Sequence, residues 1–163
     1  MKKTLIIIIL LIIIGGGIAA WQTGFISCKT DSKCAKMSVA TGDASYCDKI
    51  QKEALRSTCY TAIAATEKDP SLCEKINHQI QKNLCLAASK ENPSYCEGTG
   101  LEDICYDGIA RSKKDISICN RIKNKHMKDL CYKGVAYEKK DSSLCEKIKD
   151  KSIKNVCNQN FSK

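Results

Sequence analysis

Ten of the twelve cysteines in this chain recur in one frame, and that frame limits the possible folds more than any other feature. Five segments read Asp/Asn-x-Ser-x-Cys and close on a second cysteine: Cys47/Cys59, Cys73/Cys85, Cys96/Cys105, Cys119/Cys131 and Cys145/Cys157. The first cysteines are spaced by 26, 23, 23 and 26 residues. Such self-similarity is expected when one supersecondary unit is repeated and stacked on its neighbours. Cys28 and Cys34 precede the first frame.

What those cysteines do depends on the compartment. With two Phe, one Trp and 27 Lys/Arg in 163 residues, the chain is poorly supplied for one large core. Exported chains of this kind rely on cross-links, whereas in a reducing cytosol the same cysteines would be metal ligands or reactive thiols. The N-terminus points to export. Lys2 and Lys3 precede an apolar run from Leu5 to Trp21, 17 residues that become 22 if carried to Ile26. That length suits a short membrane-spanning helix with its lysines in the cytoplasm and Trp21 at the outer interface. A cleaved signal peptide competes, with small residues at Gly17-Ile18-Ala19 or Ile18-Ala19-Ala20 before a cut. A lipoprotein is the third reading, from Phe25-Ile26-Ser27-Cys28. Phe is unusual there, and acylating Cys28 would leave eleven cysteines, one of them unpaired. The expectation is an uncut anchor over 1–27 and an exported domain over 28–163, or a secreted domain if the segment is cleaved.

Each repeat opens with a helix-start signal. Ser45, Ser71, Ser94, Ser117 and Ser143 are followed three residues later by Asp48, Glu74, Glu97, Asn120 and Glu146, a capping-box spacing. Pro70 and Pro93 disfavour helix in the residue before them. Ile50, Ile76, Ile122 and Ile148 lie three residues after the first cysteine and complete the apolar face of a short helix. A second helix follows, with Leu55, Cys59, Ala62, Ile63 and Thr66 at steps of three to four. Small residues recur three positions after the second cysteine (Ala62, Ala88, Gly108, Gly134), and we expect them to permit close helix approach. The third repeat separates the two helices, being three residues shorter between its cysteines, with Gly98 and Gly100 in the middle. A continuous helix would be turned by about 60° by that deletion, while a loop absorbs it. The cysteines then flank the bend of an antiparallel hairpin, and pairing within repeats leaves only Cys28 and Cys34 to close on each other.

The expected fold is therefore all-α: an N-terminal transmembrane or signal helix, then a solenoid-like array of short αα-hairpins stapled by disulfides. The divisions are a cap over 28–42 and repeats over 43–68, 69–91, 92–114, 115–140 and 141–163. The alternation of hairpins resembles cysteine-rich members of the tetratricopeptide-like repeat proteins. The period here is shorter than their roughly 34 residues and their signature residues are missing, so no functional residue carries over.

Few residues in the sequence are spaced for chemistry. There is no CxxC, which removes the thiol-oxidoreductase, haem-attachment and zinc-ribbon spacings together. His78 and His126 fall in the loops of separate repeats and read as exposed, and Glu102/Asp103 read as solvated first-turn charges. We expect no enzyme, no catalytic or metal-binding residue and no cofactor. Charge is more informative. Residues 28–114 carry 13 Lys/Arg against 12 Asp/Glu, whereas residues 115–163 carry 12 against 6. Arg121, Lys123, Lys125 and Lys128 in one repeat and Lys147, Lys149, Lys151 and Lys154 in the next occupy equivalent positions. They form a solubilising face, or else they bind an anionic partner such as lipid headgroups, a surface polymer or an acidic protein. Nucleic acid is not expected, since no aromatic stacking set accompanies the lysines. The leading expectation is a membrane-anchored, extracytoplasmic structural or binding module. A secreted thiol-redox or metal-handling protein and a binding subunit of an exported enzyme complex are the alternatives.

Overall fold

The computed structural model describes residues 28–162. The apolar segment 1–27, with its anchor, signal-peptide and lipoprotein readings, lies outside the described residues. Among those described there is no strand, and no helix is long and apolar enough to cross a membrane.

Six long helices carry the structure: α1 (Asp31–Thr41), α2 (Glu53–Glu67), α3 (Gln79–Ser89), α4 (Glu102–Lys113), α5 (Lys125–Lys139) and α6 (Lys151–Phe161). Between them lie single helical turns at Ser45–Asp48, Pro70–Lys75, Pro93–Cys96, Ile116–Cys119 and Ser142–Lys147. Each turn packs on the long helix before it and on the one after it. The disulfides join turn to following helix as Cys47–Cys59, Cys73–Cys85, Cys96–Cys105, Cys119–Cys131 and Cys145–Cys157, and Cys28 closes on Cys34 at the start of α1. No described cysteine is free.

The turns do not start as capping boxes. The Asx residue two positions before the serine acts instead: Asp43, Asp69, Asn92, Asp115 and Asp141 each accept the serine N–H at 2.9–3.0 Å, and all but Asp43 stand at the N-cap itself. An Asx side chain reaches an N–H two residues ahead, so the helix begins before the serine can cap it. The residue three after the serine is thereby released for other contacts. Asp48 accepts the Tyr60 hydroxyl, which burial and this carboxylate push up to about 12, and Asn120 accepts the Tyr132 hydroxyl at 2.6 Å. Glu74 and Glu146 pair with Lys82 and Lys154.

Burial follows the repeat. Ile50, Ile76, Ile122 and Ile148 are buried, and in the third repeat Thr99 replaces the isoleucine, its hydroxyl donating to the Cys96 carbonyl at 2.7 Å. On the long helices the buried set lies one, four and five residues after the cysteine: Tyr60, Ile63, Ala64; Tyr106, Ile109, Ala110; Tyr132, Val135, Ala136. The small residue at the third position lies beside that set: Ala62 and Ala88 are half-buried, Gly108 is exposed and Gly134 is buried. Gly134 still meets the expectation of close approach, for the Arg111 side chain lies across it. At Gly108 nothing lies within 4 Å of where a Cβ would be.

Helix ends repeat as well. After α2, α4 and α5 the chain turns through Lys68, Lys114 and Lys140 with φ of 53–56°. The next aspartate N–H then reaches back to the buried Ala64, Ala110 or Ala136 carbonyl at 2.8–3.0 Å. This Schellman-type closure satisfies carbonyls the helix end would leave open.

Candidate functional site

The hairpin loops at the starts of α5 and α6 are held from the repeat before. Asp103, in the first turn of α4, accepts the N–H groups of Lys123 and Asn124, both at 2.9 Å. Asp129, just beyond the first turn of α5, accepts those of Lys149 and Asp150 at 3.2 and 2.8 Å. Asp31 of α1 does the same for Gln51 and Lys52. Ser57 and Asn83 stand at the corresponding places of α2 and α3, and neither makes such a clamp. Asp103 is thus a tether between repeats rather than the solvated charge expected of it. Its two N–H donors, with Lys123 and Lys128 nearby, hold its carboxyl below the usual aspartate range.

These clamps fix the backbone from which the candidate cations project. Lys123, Lys125, Lys147, Lys149 and Lys151 are exposed, Lys128 is half-buried, and none of the six is ion-paired among the described residues. Arg121 and Lys154 are committed elsewhere: Arg121 pairs with Glu97 at 2.6 Å and lies over the Tyr106 ring, and Lys154 pairs with Glu146 at 2.7 Å. The nearby carboxylates of Asp103, Asp129 and Asp150 accept backbone N–H groups and form no ion pair with these lysines among the described residues.

Helix polarity bears on this arrangement. A helix N-terminus carries partial positive charge, and acidic residues there are favourable while cations cost a few tenths of a kcal/mol each. α1, α2 and α4 follow the rule with Asp31, Glu53 and Glu102/Asp103 in their first turns. The first turns of α5 and α6 carry no acid, as is also true of α3, although Asp150 caps α6. Lys125 and Lys128 stand in one, Lys151 and Lys154 in the other.

His78 and His126 are exposed, each at the start of a different long helix. Among the described residues no group of three or more His, Cys, Asp or Glu could hold a metal ion. The clamp residues were the part of the site missed in the sequence. Their only trace there is an aspartate two residues before the second cysteine, at Asp103 and Asp129. Comparison with known proteins adds no family, since no family model, curated protein or solved structure matches the chain.

Proposed function

We propose that this protein is a non-enzymatic, extracytoplasmic interaction module. In this reading residues 1–27 anchor it to a membrane, and the helices and turns form a stacked array of disulfide-stapled hairpins. Its last two repeats recognise an anionic partner. Six disulfides fit an oxidising compartment and a structural use of the cysteines. The observation that carries the binding reading is the placing of unpaired lysines at the α5 and α6 N-termini, where local stability favours carboxylates. Residues that oppose local preference without a packing reason are expected at functional positions.

Such a surface binds through several screened contacts. With a Debye length of about 8 Å at 0.15 M salt, only lysines close to the partner contribute. At about 1 kcal/mol per lysine near an anionic surface, reversing Lys147, Lys149 and Lys151 to Glu should weaken binding by roughly a hundredfold or more. The test is retention of wild-type and reversed protein on anionic vesicles and on an immobilised polyanion across a salt series. Steep salt dependence and loss of retention in the variant support the reading. Equal retention of both proteins would reduce the lysines to a solubilising face.

A further inference from the structure

The third hairpin differs from the other four at one cysteine. In those four both cysteines are buried, whereas in the third Cys96 is fully buried and Cys105 is half-buried. Cys105 lines a cavity of about 390 Å³ between α2, α3 and α4, together with Ala65, Leu84, Ala88, Ile104 and Gly108. Cys28, the other half-buried cysteine, belongs to no hairpin and adjoins the segment outside the described residues.

Three departures from the repeat meet at this disulfide. Thr99 stands where the other hairpins carry Ile50, Ile76, Ile122 and Ile148, so the side chain three residues after the first cysteine is smaller. Gly108 follows Cys105 by three residues and shares its helix face, and no atom lies within 4 Å of where its Cβ would be. At the equivalent Gly134 the Arg111 side chain fills that space. The cysteines are nine residues apart instead of twelve, and the loop between them passes through Gly98 and Gly100 at φ of 72° and 73°. Glycine tolerates many backbone conformations, so this loop can rearrange if the bond opens. Thiol–disulfide exchange requires a thiolate to reach one of the two sulfurs, and exposed disulfides are the labile or regulatory ones. Burial closes the other four hairpins to that approach.

We propose that Cys96–Cys105 is a thiol-exchange site, where a low-molecular-weight thiol enters the cavity and reversibly modifies Cys105. The incoming thiolate attacks Sγ of Cys105, a bond forms between these two sulfurs, and the Cys96–Cys105 bond breaks. Its electron pair leaves on Sγ of Cys96, which takes a proton from water. The product carries a mixed disulfide on Cys105 and a free thiol on Cys96, so the small thiol is the only co-reactant. Attack of the Cys96 thiolate on Cys105 Sγ reverses the step and releases the small thiol. In an oxidising compartment the resting form is the closed disulfide. Modification frees the Pro93–Cys96 turn from α4 and leaves the other four staples in place. The site is independent of the basic surface, since no lysine lines the cavity.

The experiment treats the oxidised full-length protein with free cysteine at about pH 8, where that thiol is partly ionised. Thiols are trapped by alkylation at successive times, and the peptides are mapped without reduction. Among the five hairpins, cysteinylated Cys105 with alkylated Cys96 should appear first, about tenfold or more ahead of any other opening. Gly108→Leu, which fills the space beside Cys105, should slow the step about tenfold or more. Its melting temperature should be unchanged or raised, because glycine is a poor residue in a helix interior. Gly108→Ala strengthens the helix with little bulk and should exchange at close to the wild-type rate. Ala88→Leu, from the facing helix, should slow exchange as Gly108→Leu does. Opening of all five hairpins at one rate, or a first adduct on Cys96, would overturn the proposal. So would wild-type rates in both leucine variants, or equal slowing by Gly108→Ala and Gly108→Leu, which would assign the effect to helix stability instead of access.

Discussion

Asp129 is buried, and both its carboxylate oxygens are used by N–H groups from the next repeat. Removing a charged acceptor leaves those donors without a partner, at a typical cost of about 1–3 kcal/mol. Asp129→Ala should therefore lower stability by about that amount in chemical denaturation, whereas Ser57→Ala, at the corresponding place without a clamp, should cost less. Asp31 and Asp103, and Asp43, Asp69, Asp115 and Asp141 at the turn starts, are all held below the ordinary aspartate value of about 3.8 by the N–H and hydroxyl groups they accept. A carboxyl lowered on folding stabilises the folded state above its unfolded value, and the contribution is lost as pH falls through the folded value. Melting temperature should thus be insensitive to these groups from neutrality to about pH 5 and should fall below about pH 4 with the disulfides intact. A melting temperature flat down to pH 2 would contradict this. The caps were half legible in the sequence: their spacing marked a helix start, but the serine was read as the cap. The clamps were harder to see, because their partners are backbone N–H groups about 20 residues away that carry no side-chain signature.

Each hairpin is too small to fold on local preference alone. A loop of about 13 residues closed by a disulfide contributes roughly 3 kcal/mol in the chain-entropy model, which helps offset ordering a unit with few large apolar side chains. The helix ends still leave stability unused. Lys140 adopts φ 56°, a left-handed conformation that costs a non-glycine residue about 1 kcal/mol, and its side chain is not ion-paired among the described residues. Lys140→Gly should stabilise the protein by up to about 1 kcal/mol, read as an increased denaturation midpoint at unchanged slope. A decrease would show that the lysine makes contacts outweighing its backbone strain. At this scale the sequence was informative about periods and breaks, since the three-residue deletion around Gly98 and Gly100 marked the loop correctly. It was less informative about faces. Ala62, Ala88, Gly108 and Gly134 share one register, but only the fold distinguishes Gly134, crossed by Arg111, from Gly108, which opens on a cavity.

Across the molecule, buried residues form two clusters, one spanning Cys34 to Cys85 and the other Ala87 to Cys157, and they meet on α3. The apolar cavity lies at this seam, and α2 and α3 lack the aspartate clamp that ties α4 and α5 to their successors. The excess of basic over acidic residues lies on the clamped side, in residues 115–163. That polarity was visible in the charge counts, whereas the seam was not, because it depends on packing rather than composition. All of these features depend on disulfides closing within hairpins. Peptide mapping of the natively purified protein under non-reducing conditions tests that dependence most directly. The account predicts linked peptides for 28–34, 47–59, 73–85, 96–105, 119–131 and 145–157 and no alkylatable thiol. Links such as Cys59–Cys73 or Cys131–Cys145, or free thiols in the native protein, would contradict it.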